Sequence, residues 1–289
     1  MTETKIKKNY KDTVFRMIFK EKEHLLSLYN AVNGTHHTNV EDLEITTLEN
    51  AIYMTYKNDI SFVFDFELTL FEHQSTLNPN MPLRDLIYVT ENLQGRVDKE
   101  KLYSSILIKL PTPRFIVFYN GTTPQPERQV LKLSDAYQKS LEYPELELTV
   151  TVLNINYGKN IKLMEACKLL KEYAQYVEKV RGYAKNMSIS EAVEKAVNYC
   201  IKHDILREFL MKHRAEAIGM SIYEFDEEAY IKGEREIAYT IAKEESIQAI
   251  VSDYIEDDFS KEIILEKLQK IFKLDAKQAE SYFVKYSVK

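Results

Sequence analysis

Residues 58–76, NDISFVFDFELTLFEHQST, read as two extended runs that meet at Asp65-Phe66. Side chains of a strand alternate faces, and directly opposed residues of a hairpin share a face. A turn centred between Asp65 and Phe66 pairs positions whose numbers sum to 131, so Asp59 opposes Glu72 and Lys57 opposes Gln74. One face then carries Asp59, Ser61, Val63, Leu68, Leu70, Glu72 and Gln74. The other carries Ile60, Phe62, Phe64, Glu67, Thr69, Phe71 and His73. Both faces are mostly apolar, so both are expected to be covered, as in an α/β layer structure. Asp65-Phe66 lacks the glycine that a two-residue turn favours. A four-residue loop from Phe64 to Glu67 fits the same sum, whereas a three-residue turn sends Asp59 to the other face unless a bulge restores it.

In the even register two carboxylates, Asp59 and Glu72, face each other at about 5 Å. Left alone they repel, and one must take up a proton. A hard divalent cation resolves the conflict: magnesium binds one or two carboxylates, keeps several waters and takes other oxygens from a phosphate. Such an ion polarises a phosphoryl group and acidifies a bound water, which Gln74 is placed to orient. The other reading is a solvated, idle pair near strand ends. Either way, removing Glu72 is expected to relieve repulsion and leave stability unchanged or slightly raised.

The rest of the chain sets the frame. Its 289 residues, 45% hydrophobic and 29% charged, suit one large or two modest globular domains. Cys167 and Cys200 have no metal or redox spacing and read as buried or indifferent thiols, which fits a reducing compartment. The sequence shows neither a signal-peptide core nor an apolar run of membrane-spanning length, so a cytoplasmic protein with no membrane partner is expected. Residues 215–289 carry 17 acidic and 10 basic side chains, a net of −7. Residues 1–214 hold 28 and 29, a net of +1. A near-neutral body with a basic start permits phosphate binding through a local patch.

Residues 10–32 read as one helix, NAIYMTYKN (50–58) as a strand, and MPLRDLIYVTENLQ (81–94) as a helix with proline at its start. RFIVFYNG (114–121) and LELTVTVLNIN (146–156) read as strands, and from about Lys159 onward the pattern is helical. Arg84 and Tyr88 lie one turn apart, with Arg84 either a phosphate ligand or the partner of a nearby acid. Asn120, before Gly121, reads as a turn residue rather than a cleft residue. The tail gives two short amphipathic helices split near KLDAK (273–277), either a solubilising bundle or a docking module.

The stretch from Asn58 through MPLRDLIYV (81–89) resembles the Rpn family of recombination-promoting nucleases, also labelled transposase-like, of the PD-(D/E)XK nuclease superfamily. YKDTVFRMIF (10–19), RFIVFYNG, LMEACKLLKEYAQYV (163–177) and FLMKHRAEAIGMSIYEFDEEAY (209–230) resemble it in the same order, over roughly residues 9–245. The resemblance implies an αβββαβ core with a mixed sheet flanked by helices and a helical C-terminal extension. It implies a metal-dependent DNA endonuclease using Mg2+ or Mn2+, linked to recombination, mobile elements or phage defence. On the same ground Asp59 is the metal-bridging aspartate, Glu72 the second ligand, His73 a ligand through its backbone carbonyl, and Gln74 the replacement for the superfamily lysine. Asp12 is either a first-helix metal ligand or a helix cap, and in a nuclease Arg84 with Tyr88 is a candidate DNA contact beside the ion-pair reading of Arg84. Glutamine orients water but cannot supply charge, so a weaker or conditional enzyme is expected. The alternative is a restrained or inactive DNA-binding or interaction protein on a nuclease scaffold. The expected organisation is a core at 1–158, a helical part packed on it at 159–214, and an acidic helical region at 215–289. That last region is expected to mediate homo-oligomerisation, dimerisation in the first instance, and to offer a site for a regulatory partner.

Overall fold

The computed structural model describes residues 14–46, 60–257 and 259–287, with the backbone alone at 223–224 and 226–238. The chain divides into two compact units, Met1–Asp226 and Glu227–Lys289. The first is built on a mixed six-stranded sheet. Its order is β1 (Glu44–Ile45), β2 (Ile60–Phe64), β3 (Glu67–Gln74), β4 (Thr112–Tyr119), β6 (Thr149–Asn154) and β5 (Arg128–Lys132). β3, β4 and β6 are parallel to one another, and the remaining neighbours are antiparallel. The α/β class and the helical C-terminus are therefore observed.

The β2–β3 hairpin has the even register. Ile60 pairs with Phe71 and Phe64 with Glu67, so the loop is the two residues Asp65 and Phe66. Both are left-handed, with φ of 48° and 60°. This is the turn whose twist matches the flanking strands, formed here without glycine. Phe66 is 88% exposed, so its ring gains little from the fold. A non-glycine residue in this region costs about 1–2 kcal/mol. Phe66→Gly should therefore stabilise the protein by about 0.5–1 kcal/mol, after glycine's greater unfolded-state entropy is set against the relief. Urea midpoints check it, and a lower midpoint for the variant would contradict it.

Both sheet faces are covered. Under one lie α1 (Val14–Phe19), α2 (Lys22–Asn33), α5 (Lys168–Ala184) and α6 (Ile189–Lys202), packed on Phe62, Phe64, Phe71, Phe118 and Leu153. Phe71 meets Phe62 and Phe118 edge-on at 5.2 and 5.1 Å. Full burial of such a ring contributes roughly 2–3 kcal/mol. Against the other face lies α3 (Met81–Gln94). Its Tyr88 and Val89 pack on Leu68 and Leu70, and its Met81 on Val117, Tyr119 and Val152. The helix starts where the sequence places it, with Pro82 in its first turn, where the missing N–H costs nothing.

The differences have physical causes. The helix expected over 10–32 is two helices, broken at Lys20–Glu21, and Glu21 is extended. The break lets Phe15 of α1 reach Phe118 while Tyr29 of α2 reaches Phe62 and Phe64. The strand expected at 50–58 lies outside the described residues. β1, two residues long, and β5, RQVLK, carry too little apolar alternation to be seen in sequence. β5 is an edge strand with Arg and Lys at its ends, a composition that discourages further pairing.

Beyond β6 come α4 (Ile161–Ala166), α7 (Arg207–Lys212) and α8 (Arg214–Glu256). Cys167 and Cys200 are buried, and burial raises both thiols, that of Cys200 to about 12, which makes them inert at neutral pH. In the second unit the end of α8 packs with α9 (Lys261–Phe272) and α10 (Ala276–Ser287) through Ile247, Val251, Ile264, Leu268 and Ala279. The two short amphipathic helices separate at Lys273, which is left-handed. Their apolar faces meet each other and α8. Among the described residues no helix is long and apolar enough to cross a membrane.

Candidate active site

Glu72 and Gln74 project from the last turn of pleat of β3 onto the α3 face, and His73 projects to the opposite face. Continuous pairing of Glu72 with Val117 and of Gln74 with Tyr119 of β4 fixes these directions. Asp59, the residue before Ile60, lies outside the described residues, as does Asp12.

Glu72 is buried, at 4% exposure. Its Oε2 stands 3.7 Å from Nη2 of Arg84, which also donates to the Tyr88 hydroxyl at 3.1 Å. Arg84 and Tyr88 meet because they are one turn apart on α3, and α3 lies over the face that carries Glu72. Of the two readings for Arg84, the ion pair with an acid is the one present. Burial opposes the Arg84 charge, but the Tyr88 hydroxyl and the Glu72 carboxylate outweigh it, and the guanidinium is held more firmly protonated than usual. Burial raises Tyr88 as well. The ion pair reverses the expectation for Glu72→Ala: removing an anion from beside a half-buried guanidinium destabilises rather than relieves.

Gln74 is anchored at both ends of its amide. Oε1 accepts the Asn78 backbone N–H at 3.0 Å, and Nε2 approaches the Met81 sulfur at 2.7 Å. It holds the loop between β3 and α3. Beside that loop, Asn120 donates its backbone N–H to the Gln74 carbonyl at 3.0 Å. A Cβ on Gly121 would overlap the Ser75 carbonyl oxygen and the Tyr119 ring. Neither backbone can retreat without breaking the ladder. Gly121→Ala should therefore cost roughly 2–4 kcal/mol, read as a loss of melting temperature. An unchanged melting temperature would refute the close approach.

On the other face His73 is buried, stacked on Phe15 at 4.8 Å between ring centres. Its Nε2 is 2.9 Å from the Tyr173 hydroxyl, which accepts from Nδ2 of Asn120 at 3.0 Å. Which of the two donates is set by the His73 tautomer. Burial first, then the Arg181 charge, lowers His73 to about 3, so the ring is neutral at physiological pH. The His73 side chain is a core group, as its strand position requires. Asn120, read as a turn residue, is instead buried in this network.

Sequence reasoning missed Asp85. It sits at 1% exposure on the buried stripe of α3 with Met81, Tyr88 and Asn92, and among the described residues its Oδ1 has no hydrogen-bond partner. Burial raises its carboxyl to about 7 against the lowering effect of Arg84. The signal was available: an acid four residues after Met81 and three before Tyr88 falls on the apolar face.

Among the described residues no group of three or more His, Cys, Asp or Glu side chains is arranged to hold a metal ion. The donor present there is the Glu72 carboxylate, whose hard oxygens suit magnesium or manganese, while the positive charge of Arg84 stands close to the same atom. No protein-family model, no curated protein and no solved structure matches the chain.

Proposed function

We propose that this protein is a metal-dependent DNA endonuclease with a PD-(D/E)XK-type core. The observation that supports the reading best is the hairpin register. It puts Glu72 and Gln74 on one face at the end of β3, and it is the register in which the sequence pairs Asp59 with Glu72. In this reading Asp59 and Glu72, with the His73 carbonyl, hold a Mg2+ or Mn2+ ion, and Asp12 is a further candidate ligand. When bound, that ion supplies Lewis acidity toward the phosphodiester and acidifies water. Glu72 provides a buried anionic donor, and Arg84 lies within reach of the same space, where a DNA phosphate would enter. DNA is the substrate, with recombination, mobile elements or phage defence as the setting and the cytoplasm as the compartment. The exposed Ile263, Ile271 and Val284 are the tail side chains that would carry self-association or a regulatory contact.

One observation favours the second reading, a restrained or inactive nuclease scaffold. Gln74 is committed to Asn78 and Met81, so it orients a water only if that loop moves. Plasmid nicking by purified protein, with and without magnesium and beside Asp59→Ala, separates the two. Magnesium-dependent nicking lost in the variant supports the enzyme. Nicking by neither protein supports the restrained scaffold, and equal nicking by both removes the proposed site.

A further inference from the structure

β3, β4 and β6 run parallel, so the connections that enter β4 and β6 lie at one end of the sheet, away from the end of β3 that carries Glu72 and Gln74. Two long connections lie there: residues 95–111, between α3 and β4, and residues 133–148, between β5 and β6. Both are pinned. Arg96 pairs with Glu44 of β1 at 2.8 Å, and the first connection ends where Thr112 pairs with Glu67. In the second, the Ser134 hydroxyl donates to the Glu147 carboxylate at 2.6 Å, and the Tyr137 hydroxyl donates to the Leu146 carbonyl at 2.7 Å. Held this way, the first presents Leu102, Tyr103, Ile106 and Leu107 at 61–92% exposure, and the second presents Leu141, Tyr143 and Leu146 at 51–83%. The apolar surface left in water by these side chains is on the order of 900 Å². That exceeds the roughly 300–600 Å² of the largest apolar patch on most monomers, and it matches the roughly 800 Å² per partner of a stable interface.

The two connections carry opposite charge. Residues 95–111 hold four basic and two acidic side chains, a net of +2, and residues 133–148 hold four acidic and one basic, a net of −3. A two-fold axis sets each part of a self-complementary patch against the other part on its partner. We propose that this end of the sheet is a homodimer interface, in which the basic apolar connection of each copy lies on the acidic apolar connection of the other. Charge selects a second copy over other occupants. An anionic membrane or a DNA backbone would meet both connections together, a net of −1, and would be repelled by the acidic one. A second copy satisfies both signs at once and buries both apolar sets. Tyr103 and Tyr143 are the large, stiff side chains that anchor such contacts. The surface lies wholly within the first unit and is independent of the nuclease reading. A dimer formed there leaves the Gln74 end of β3 open.

Sedimentation velocity of the full-length protein over a range of concentrations tests this. Wild type should dimerise at micromolar concentration. Tyr103→Asp combined with Ile106→Asp should weaken the dimer by about a hundred-fold or more. Its circular dichroism should be unchanged, since both side chains are exposed. Replacing Lys99, Lys101 and Lys109 together by Glu should weaken the dimer by about ten-fold, and so should replacing Glu142 and Glu145 together by Lys. Combining the two charge-reversed sets should restore it, because each reversed connection again faces its opposite. Failure to restore would overturn the crossed arrangement. A wild type that stays monomeric at about 100 μM, or one that binds anionic vesicles through Tyr103 and Ile106 instead of dimerising, would overturn the interface. So would a dimer that survives every one of these variants but is lost in Ile271→Asp of α9, which would assign association to the tail.

Discussion

Asp85→Asn should raise the stability of the protein at pH 8 and change the shape of its stability–pH curve. The carboxyl titrates at about 7 in the fold against 3.8 for the free side chain. A raised acid stabilises fully below the unfolded value, and its contribution is lost as pH rises through the folded one. Over that interval the loss is roughly 4 kcal/mol at 1.36 kcal/mol per pH unit. Asparagine removes that loss but leaves a buried amide, which costs about 1–3 kcal/mol. The net gain at pH 8 is therefore about 2 kcal/mol.

His73 acts in the opposite sense, which makes the curve more informative than any single value. Its pKa falls from 6.5 to about 3 on folding. The unfolded chain then binds the extra proton, and stability is lost as pH falls from 6.5 toward 3. Between about pH 4 and 6.5 the two groups have opposite slopes of similar size, so wild type should show a shallow dependence there. Asp85→Asn should unmask His73, giving stability that rises with pH across this window. Parallel curves for the two proteins would mean that Asp85 is not held protonated.

The second large effect is on cleavage. Glu72→Ala should abolish magnesium-dependent nicking and lower stability by roughly 1–3 kcal/mol through loss of the Arg84 contact. Full nicking by a folded Glu72→Ala protein would contradict the assignment. Intact stability would mean that the ion pair contributes little.

The hairpin register was legible because period-2 alternation on both strands leaves few ways to pair two runs that are apolar on both faces. The same logic gave the opposite directions of Glu72 and His73. α3 was legible from Pro82 and its apolar stripe. The Glu72–Arg84 pair was only half legible: spacing showed that Arg84 and Tyr88 meet, but which strand face α3 covers is a tertiary fact. Tyr173 and Asn120, 53 positions apart, come together through a parallel strand and a later helix, which no local pattern encodes. β5 was missed because an edge strand protected by charge has almost no hydrophobic signature.

The central claim is that the end of β3 is a divalent-cation site built on Glu72. Crystals soaked in Mn2+ and recorded at the manganese absorption edge test it most directly. The account predicts an anomalous peak in direct coordination with the Glu72 carboxylate and with Asp59. Manganese bound elsewhere, or no peak beside Glu72 at saturating metal, would contradict it.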